Sequence, residues 1–258
     1  MTFDQETHPR VVFARNALKV VVAQVRFPVS YRLDEPGVLA ELQRALSAAY
    51  PIGLPRGEEV TVAIGPGGAT MNQGRPGPAQ FADVSRTRTV TIGSDMASFE
   101  TTAYEDWPTF RVAFGDLLAL LEAHLQPAHV DRLGLRFVDE LPGDGARMIT
   151  DWTHLLTADL LGSENSPARD ERAVRTLQFV SLDMGGDTIN LRHGYTRNLG
   201  DAGPASVYLI DTDVSSQNVP WDIPDLLERA DRYHDWAWKL FIRSVTDHAK
   251  AVLGEAGR

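Results

Sequence analysis

The sequence contains no cysteine, and this absence excludes several kinds of site at once. Without a thiol the chain forms no disulfide, offers no thiolate nucleophile and builds no cysteine-based zinc or iron–sulfur site. No apolar run approaches the roughly 20 residues that a membrane-spanning helix needs. The first ten residues, MTFDQETHPR, are polar and acidic, unlike a secretory signal or an Arg-rich transit peptide. We therefore expect a cytoplasmic protein without a membrane partner.

Motifs of common catalytic and cofactor sites are also missing. The chain has no G-x-S-x-G nucleophile elbow, and its seven histidines form neither H-x-x-x-H nor H-E-x-x-H. The glycine-rich segment Gly65–Gly77 lacks the Lys and Ser/Thr placement of a P-loop, so we predict an exposed loop that forms a flexible hairpin connection there. We assign no catalytic residue, no metal ligand and no cofactor, and the sequence favours a protein that is not an enzyme.

Positive charge is scarce as well. The formal net charge is -10 at pH 7. This balance disfavours the broad basic surface that supplies most non-specific affinity for nucleic acid. A local basic groove remains compatible with an acidic chain.

The clearest pattern lies between Met96 and Leu141 and reads strand, helix, strand. Apolar residues at steps of three and four predict one buried face of a helix. They are Trp107, Phe110, Phe114, Leu117, Leu118, Leu121 and Leu125. Asp106 is placed to cap this helix, Pro108 is tolerated in its first turn, and Pro127 stops it. A long helix with one apolar face, set between strands, packs on a sheet and indicates an α+β or α/β core.

Several further elements follow from local pattern. We predict a strand from Leu18 to Phe27, a helix from Thr150 to Leu161, a strand from Val207 to Asp213 and one long helix from Asp222 to Val252. The dipeptide Gly185-Gly186 lies between two strand-like runs and predicts a hairpin.

The order of the elements repeats along the chain. Matching landmarks, such as Val25-Arg26-Phe27 and Leu135-Arg136-Phe137, lie about 110 residues apart. We therefore predict an α+β fold of two tandem β-α-β(n)-α halves, residues 1–128 and 129–258, in one pseudo-symmetric unit. The halves would form a long curved antiparallel sheet with helices packed on one face. This architecture resembles the duplicated TATA-box-binding-protein-like and helix-grip folds.

Segments spread over nearly the full chain resemble an uncharacterised, sporadically distributed bacterial and archaeal protein family. They are QVRFP (24–28), FETTAYEDWPTF (99–110), RLGLRFVDEL (132–141), YLIDTD (208–213) and the last helix with His234, Phe241 and Thr246. The resemblance implies no established activity. Sporadic distribution is associated with accessory genes, including defence and toxin–antitoxin modules, but names no chemistry.

Five residues are candidates for a binding surface. Arg26 and Arg136 occupy matching places in the repeat, and strand alternation puts each on the face opposite its apolar neighbours. Together with Arg192 they could bind carboxylate or phosphate groups, or they could simply pair with acids such as Asp139 or Glu100. Asp211 and Asp213 share one strand face and suit either a hard cation or pairing with arginine.

These observations favour a non-enzymatic cytoplasmic binding or regulatory protein that recognises a partner on the concave sheet face. A protein partner or a second copy of the chain fits this hypothesis. One alternative is a small-molecule-binding protein or an enzyme with a helix-grip pocket. Another is a nucleic-acid-binding protein, which the net charge of -10 disfavours.

Overall fold

The computed structural model of the chain describes residues 5–8, 11, 13–35, 37–65, 68–143, 149–161, 169–197 and 206–254, with the main chain alone for 58–76. The strands are β1 (Leu18–Arg26), β2 (Ile52–Leu54), β3 (Glu58–Gly65), β4 (Gly68–Pro76), β5 (Ala79–Ala82), β6 (Arg88–Ile92), β7 (Met96–Thr101), β8 (His129–Gly143), β9 (Gln178–Asp183), β10 (Asp187–Arg197) and β11 (Ser206–Pro220). The α-helices are α1 (Val38–Leu46), α2 (Trp107–His124), α3 (Ala158–Leu161), α4 (Ile223–Ser244) and α5 (Asp247–Val252). Short 3-10 helices span Tyr31–Asp34 and Ile149–Trp152.

Nine of these strands form one antiparallel sheet, in the order β2-β5-β6-β7-β1-β8-β11-β10-β9. The α-helices lie on one side of this sheet, which confirms the predicted α+β class. We call the opposite side, which carries no described helix, the open face. In each predicted half the first strand neighbours the strand that precedes the long helix: β1 lies beside β7, and β8 lies beside β11.

By compactness the chain divides into two units. Unit 1 comprises Met1–Val21, Gly134–Ser216 and Leu227–Arg258, and unit 2 comprises Val22–Leu133 and Gln217–Leu226. The predicted halves, residues 1–128 and 129–258, are defined by a repeat rather than by compactness. That division therefore stays a prediction.

Unit 2 is built around α2, and the helix confirms its sequence signals. The Asp106 carboxylate accepts a hydrogen bond from the Thr109 amide at 2.8 Å, and Pro108 lies in the first turn. Phe110 and Phe114 are buried, and the Phe110 ring lies 4.9 Å from that of Phe99 in β7. The apolar face of α2 thus packs against the sheet of its own unit.

Unit 1 packs its helices on alternate residues of β8, β10 and β11. Its core includes Leu141, Tyr195 and Ile210 from the strands and Phe241 and Ile242 from α4. Side chains along a strand alternate between its two faces. The helices therefore contact odd-numbered residues of β8 and β10 and even-numbered residues of β11.

The single long helix predicted from Asp222 to Val252 is wrong, because the chain breaks between α4 and α5. Val245 forms an isolated antiparallel bridge with Leu156. The Thr246 hydroxyl then caps α5 by accepting from the Ala249 amide at 3.1 Å. The start of α4 was predicted correctly, since the Asp222 carboxylate accepts from the Asp225 amide at 2.9 Å.

Two other local predictions are corrected. The segment Thr150–Leu161 contains the end of one short 3-10 helix and the single turn of α3 instead of one continuous helix. Within Gly65–Gly77, residues Gly68–Pro76 form the strand β4, which pairs with β3 in a separate two-stranded sheet, so the prediction of a loop is wrong for these residues. The tip of that hairpin and most of the predicted loop 142–146 lie outside the described residues.

The hairpin predicted at Gly185-Gly186 is confirmed. These two glycines join β9 to β10 with φ values of +76° and +111°, a left-handed conformation that disfavours other residues. No helix in the described part of the chain is both long and apolar enough to cross a membrane.

Candidate functional site

Three of the five candidate residues meet on the open face of unit 1. Arg136 in β8 donates to Asp211 in β11 through Nε at 2.7 Å and through Nη2 at 2.8 Å. Arg192 lies directly opposite Asp211 in the β10–β11 register, and its Nη1 lies 3.6 Å from Oδ2 of that carboxylate. We call these three residues the Arg–Asp–Arg cluster.

The cluster combines a buried acid with two accessible bases. The Asp211 side chain is 3% exposed, whereas the side chains of Arg136 and Arg192 are each 45% exposed. A buried carboxylate is stable only when it is paired and hydrogen-bonded. Arg136 meets this need with the two-pronged geometry that suits guanidinium and carboxylate.

Arg192 plays a different role in the cluster. Its 3.6 Å contact with Asp211 exceeds hydrogen-bond length, whereas Arg136 donates to both carboxylate oxygens. No hydrogen bond joins the Arg192 guanidinium to another described residue. Its N–H donors therefore remain available for an incoming anionic group.

An aromatic residue that the sequence analysis missed extends the cluster to the edge strand. Phe179 in β9 lies directly opposite Arg192, and the Arg192 guanidinium carbon is 5.8 Å from the centre of its ring. Phe179 is 58% exposed although it is large and apolar. The local sequence does not distinguish Phe179 from a core residue. Residues on both faces of β9 are at least partly exposed, so the strand has no alternation of buried and exposed positions.

The other two candidates occupy different settings. Asp213 shares the open face with Asp211, as predicted, and lies opposite Asn190 in β10. Arg26 belongs to unit 2, where its Nη2 donates to Asp95 Oδ2 at 3.2 Å. The two side chains of this pair are 53% and 42% exposed, so it is an open surface ion pair.

Asp139 and Glu100 were predicted as acids that could pair with the arginines, and this prediction was wrong. Asp139 lies three residues from Arg136 on the same strand, and a period of two puts such residues on opposite faces. It is buried on the helix side, 8% exposed. Burial raises the pKa of Asp139 to about 7. Glu100 was also wrong, since the acid that contacts Arg26 is Asp95.

A third buried carboxylate in unit 1, that of Asp187, has a structural role. Asp187, at the start of β10, accepts from Arg232 Nη2 at 2.9 Å and from the Tyr233 hydroxyl at 2.9 Å, both on α4. Arg229 of the same helix approaches to 3.7 Å. These contacts tie the β9–β10 hairpin to α4, which the sequence analysis did not foresee because only the fold brings these elements together.

His193 is likewise structural. Its Nδ1 lies 2.8 Å from the Tyr208 hydroxyl, which donates to the Leu160 carbonyl at 3.0 Å. Burial lowers the pKa of His193 and raises that of Tyr208. A neutral imidazole in a closed hydrogen-bond chain holds α3 against the sheet.

Unit 1 also contains a cleft of about 620 Å³. Polar groups from separate segments line it, among them Arg15, Lys19, His154 and His248. The fully buried Trp152 borders the cleft, and its indole Nε1 has no hydrogen-bond acceptor among the described residues. A buried N–H without an acceptor is unusual in a folded protein.

Comparisons with known proteins add no family to these observations. A scan against protein-family models finds no match, and a search of curated proteins finds no similar sequence. The resemblance carried by QVRFP, RLGLRFVDEL and the related motifs therefore stays a prediction.

Proposed function

We propose that this is a non-enzymatic binding protein that recognises a protein partner on the open face of unit 1, where Arg192 binds a carboxylate of the partner. The observation that carries the proposal is the unequal sharing of Asp211. Arg136 takes both carboxylate oxygens at hydrogen-bond distance, and Arg192 is left at 3.6 Å with its donors uncommitted.

The surroundings of Arg192 support a protein partner. An exposed aromatic ring next to an arginine is the combination enriched at protein interfaces. Phe179 supplies this ring at 5.8 Å from the guanidinium. The Asp211 carboxylate orients the guanidinium groups of the cluster before a partner binds. Less side-chain entropy is then lost on binding.

Site-specific photo-crosslinking tests this proposal. A photo-reactive residue in place of Asn190, two residues from Arg192 on the open face, should yield adducts with a protein when the chain is expressed in its host. The same residue in place of Val112, which is exposed at 62% on α2, serves as the control on the helix side. Arg192→Ala should abolish the adducts at position 190, because Arg136 still satisfies Asp211 and the fold is retained.

Arg26→Ala is the matched control for Arg192→Ala, since Arg26 is an exposed arginine that forms a surface ion pair in unit 2. The adducts at position 190 should survive it. Equal adducts at positions 190 and 112, or adducts that persist in Arg192→Ala, would contradict the proposal. Adducts made only with nucleic acid would favour the nucleic-acid-binding alternative.

The cleft of about 620 Å³ supports a second candidate function, the binding of a small molecule. Its volume lies within the range of roughly 300–1,000 Å³ that is usual for ligand sites. Charged and polar side chains such as Arg15 and His248 line the cleft and would contact a polar ligand. Mass spectrometry of molecules released from the denatured protein tests this function. A ligand that is present in the wild type and in Val112→Trp, but absent from the cleft-filling Val252→Trp, would support it; no difference among the three would count against it.

A further inference from the structure

Strand β9 forms one edge of the nine-stranded sheet, and it is an unusually apolar edge. No further strand of the described chain lies beyond it. Large apolar side chains cluster on and just before this strand: Val174 is 43% exposed, Leu177 58%, Phe179 58% and Val180 42%. Neither lysine nor proline, the residues that commonly block edge pairing, occurs between Val174 and Asp183.

The main-chain hydrogen bonds show which residues of this edge are available. On the β10 side, the Thr176 amide donates to the Tyr195 carbonyl at 2.9 Å and the Met184 amide donates to the Asp187 carbonyl at 2.8 Å. In an antiparallel pair the bonding direction alternates residue by residue. Even-numbered residues from 174 to 184 therefore bond to β10, and the odd-numbered residues direct their N–H and C=O groups outward.

The outward-directed residues are self-complementary about Phe179. Arg175 lies four residues before Phe179, and Asp183 lies four residues after it. When a second β9 runs antiparallel with Phe179 opposite Phe179, each Arg175 lies opposite an Asp183 of the other copy. Leu177 lies opposite Ser181, and these odd-numbered pairs are all of the hydrogen-bonded kind.

Neighbouring registers lose this match. A two-fold axis at Leu177 would set Arg175 opposite Phe179, and an axis at Ser181 would set Asp183 opposite Phe179. Only the axis at Phe179 joins the opposite charges and stacks the aromatic side chains on one face. Arg175 and Asp183 are both exposed, and the Asp183 Oδ1 atom accepts from the Gly185 amide at 2.9 Å, which leaves Oδ2 to pair with arginine.

We propose that two copies of the chain associate through their β9 strands, antiparallel and two-fold symmetric about Phe179. The partner is thus a second copy of this chain, and the sheet continues from one copy into the next. This inference stands apart from the proposed function, since it rests on the edge of the sheet and not on Arg192. It also brings the two Arg192 side chains to opposite sides of a central Phe179 pair.

Sedimentation equilibrium of the wild-type chain should give twice the monomer mass of 28.4 kDa. Phe179→Lys should weaken the dimer at least about tenfold, because like charges would face each other on the axis. Because Phe179 is 58% exposed, the variant should keep the far-ultraviolet circular dichroism spectrum of the wild type. Arg175→Asp should weaken the dimer as well, and Arg175→Asp combined with Asp183→Arg should restore it.

Because the chain lacks cysteine, a single introduced thiol reports the symmetry directly. Phe179→Cys should form a disulfide-linked dimer, since facing Cα atoms in a hydrogen-bonded pair are about 5.5 Å apart. Leu177→Cys is the control, because its copies would lie more than about 13 Å apart. A wild type that remains at 28.4 kDa, or equal crosslinking of the two cysteine variants, would overturn the proposal.

Discussion

Arg26 in unit 2 and Arg136 in unit 1 have nearly the same sequence context and reach very different environments. Both follow an apolar residue and precede phenylalanine, and both lie on the open face, as alternation predicts. Arg26 pairs with Asp95, whose side chain is 42% exposed. Arg136 pairs by two hydrogen bonds with Asp211, whose side chain is 3% exposed.

The difference lies in the acid and not in the arginine. The two arginines are similarly exposed, at 53% and 45%. An exposed pair gains little, because water and salt screen it. A buried carboxylate depends on its partner, because losing that partner leaves a charge in a poorly solvating environment. The burial of the acid therefore separates a surface contact from a built cluster.

The largest effect is expected for Asp139, a buried acid of unit 1 that forms no ion pair with an arginine among the described residues. Burial raises the pKa of Asp139 from 3.8 to about 7, so the ionised form is disfavoured in the folded state. Below pH 3.8 the carboxyl is protonated in both states and folding is unaffected. As the pH rises through about 7, stability is lost. Asp139→Asn should therefore stabilise the protein at pH 8 by about 4 kcal/mol.

Urea denaturation at several pH values measures this gain. The advantage of Asp139→Asn over the wild type should be small near pH 4, grow up to about pH 7 and level off above it. Asn190→Ala, which changes no charge and lies on the opposite face of the sheet, is the control and should show no such rise. A constant difference across the pH range would mean that Asp139 does not titrate as its burial requires.

The second largest effect concerns the Arg–Asp–Arg cluster itself. Arg136→Ala removes both hydrogen bonds from the buried Asp211 and leaves Arg192 at 3.6 Å. We expect a loss of about 2–3 kcal/mol, less than a fully buried pair would lose, because Arg192 still compensates part of the charge. Chemical denaturation of the purified variant provides the value.

A double-mutant cycle shows whether the loss comes from the pair. Asp211→Ala combined with Arg136→Ala should be clearly less destabilised than the sum of the two single changes, because neither charge is then left without its partner. Additive effects would indicate that Arg136 stabilises unit 1 through other contacts. The burial of Asp211 would then not explain the difference between Arg136 and Arg26.

The arginines show how far sequence reasoning reaches in this chain. Period-two alternation placed Arg26 and Arg136 on the correct face, and turn and cap chemistry predicted the Gly185-Gly186 hairpin and the starts of α2 and α4. These signals are local. The acids were misassigned, because the partner of a residue on a sheet is set by strand order and register: Asp211 is 75 residues from Arg136 in the chain. The break at Val245 depends on a bridge to Leu156 and is tertiary for the same reason.

The third largest effect concerns Asp83, a buried acid of unit 2 whose ionised form stabilises the fold. Asp83 is 5% exposed, and although burial alone would raise its pKa, hydrogen bonds from Arg88, Ser85 and Thr87 lower that pKa from 3.8 to about 2. The resulting stability is present above pH 3.8 and is lost as the pH falls through about 2. Asp83→Asn should destabilise the protein by about 2 kcal/mol at pH 7 and much less at pH 2.5. Thermal unfolding at both pH values tests this dependence, whose sign is opposite to that of Asp139.

The smallest effect is expected for Arg26, and it completes the comparison. Arg26→Ala removes one hydrogen bond of 3.2 Å to an exposed acid, so the free energy of unfolding should fall by less than about 1 kcal/mol. The remaining difference should shrink further in high salt, because screening weakens exposed pairs but not the buried contact of Arg136. Parallel denaturation of Arg26→Ala and Arg136→Ala in low and high salt measures both effects. A salt-independent loss of 2 kcal/mol or more in Arg26→Ala would mean that the burial of the acid does not separate the two arginines.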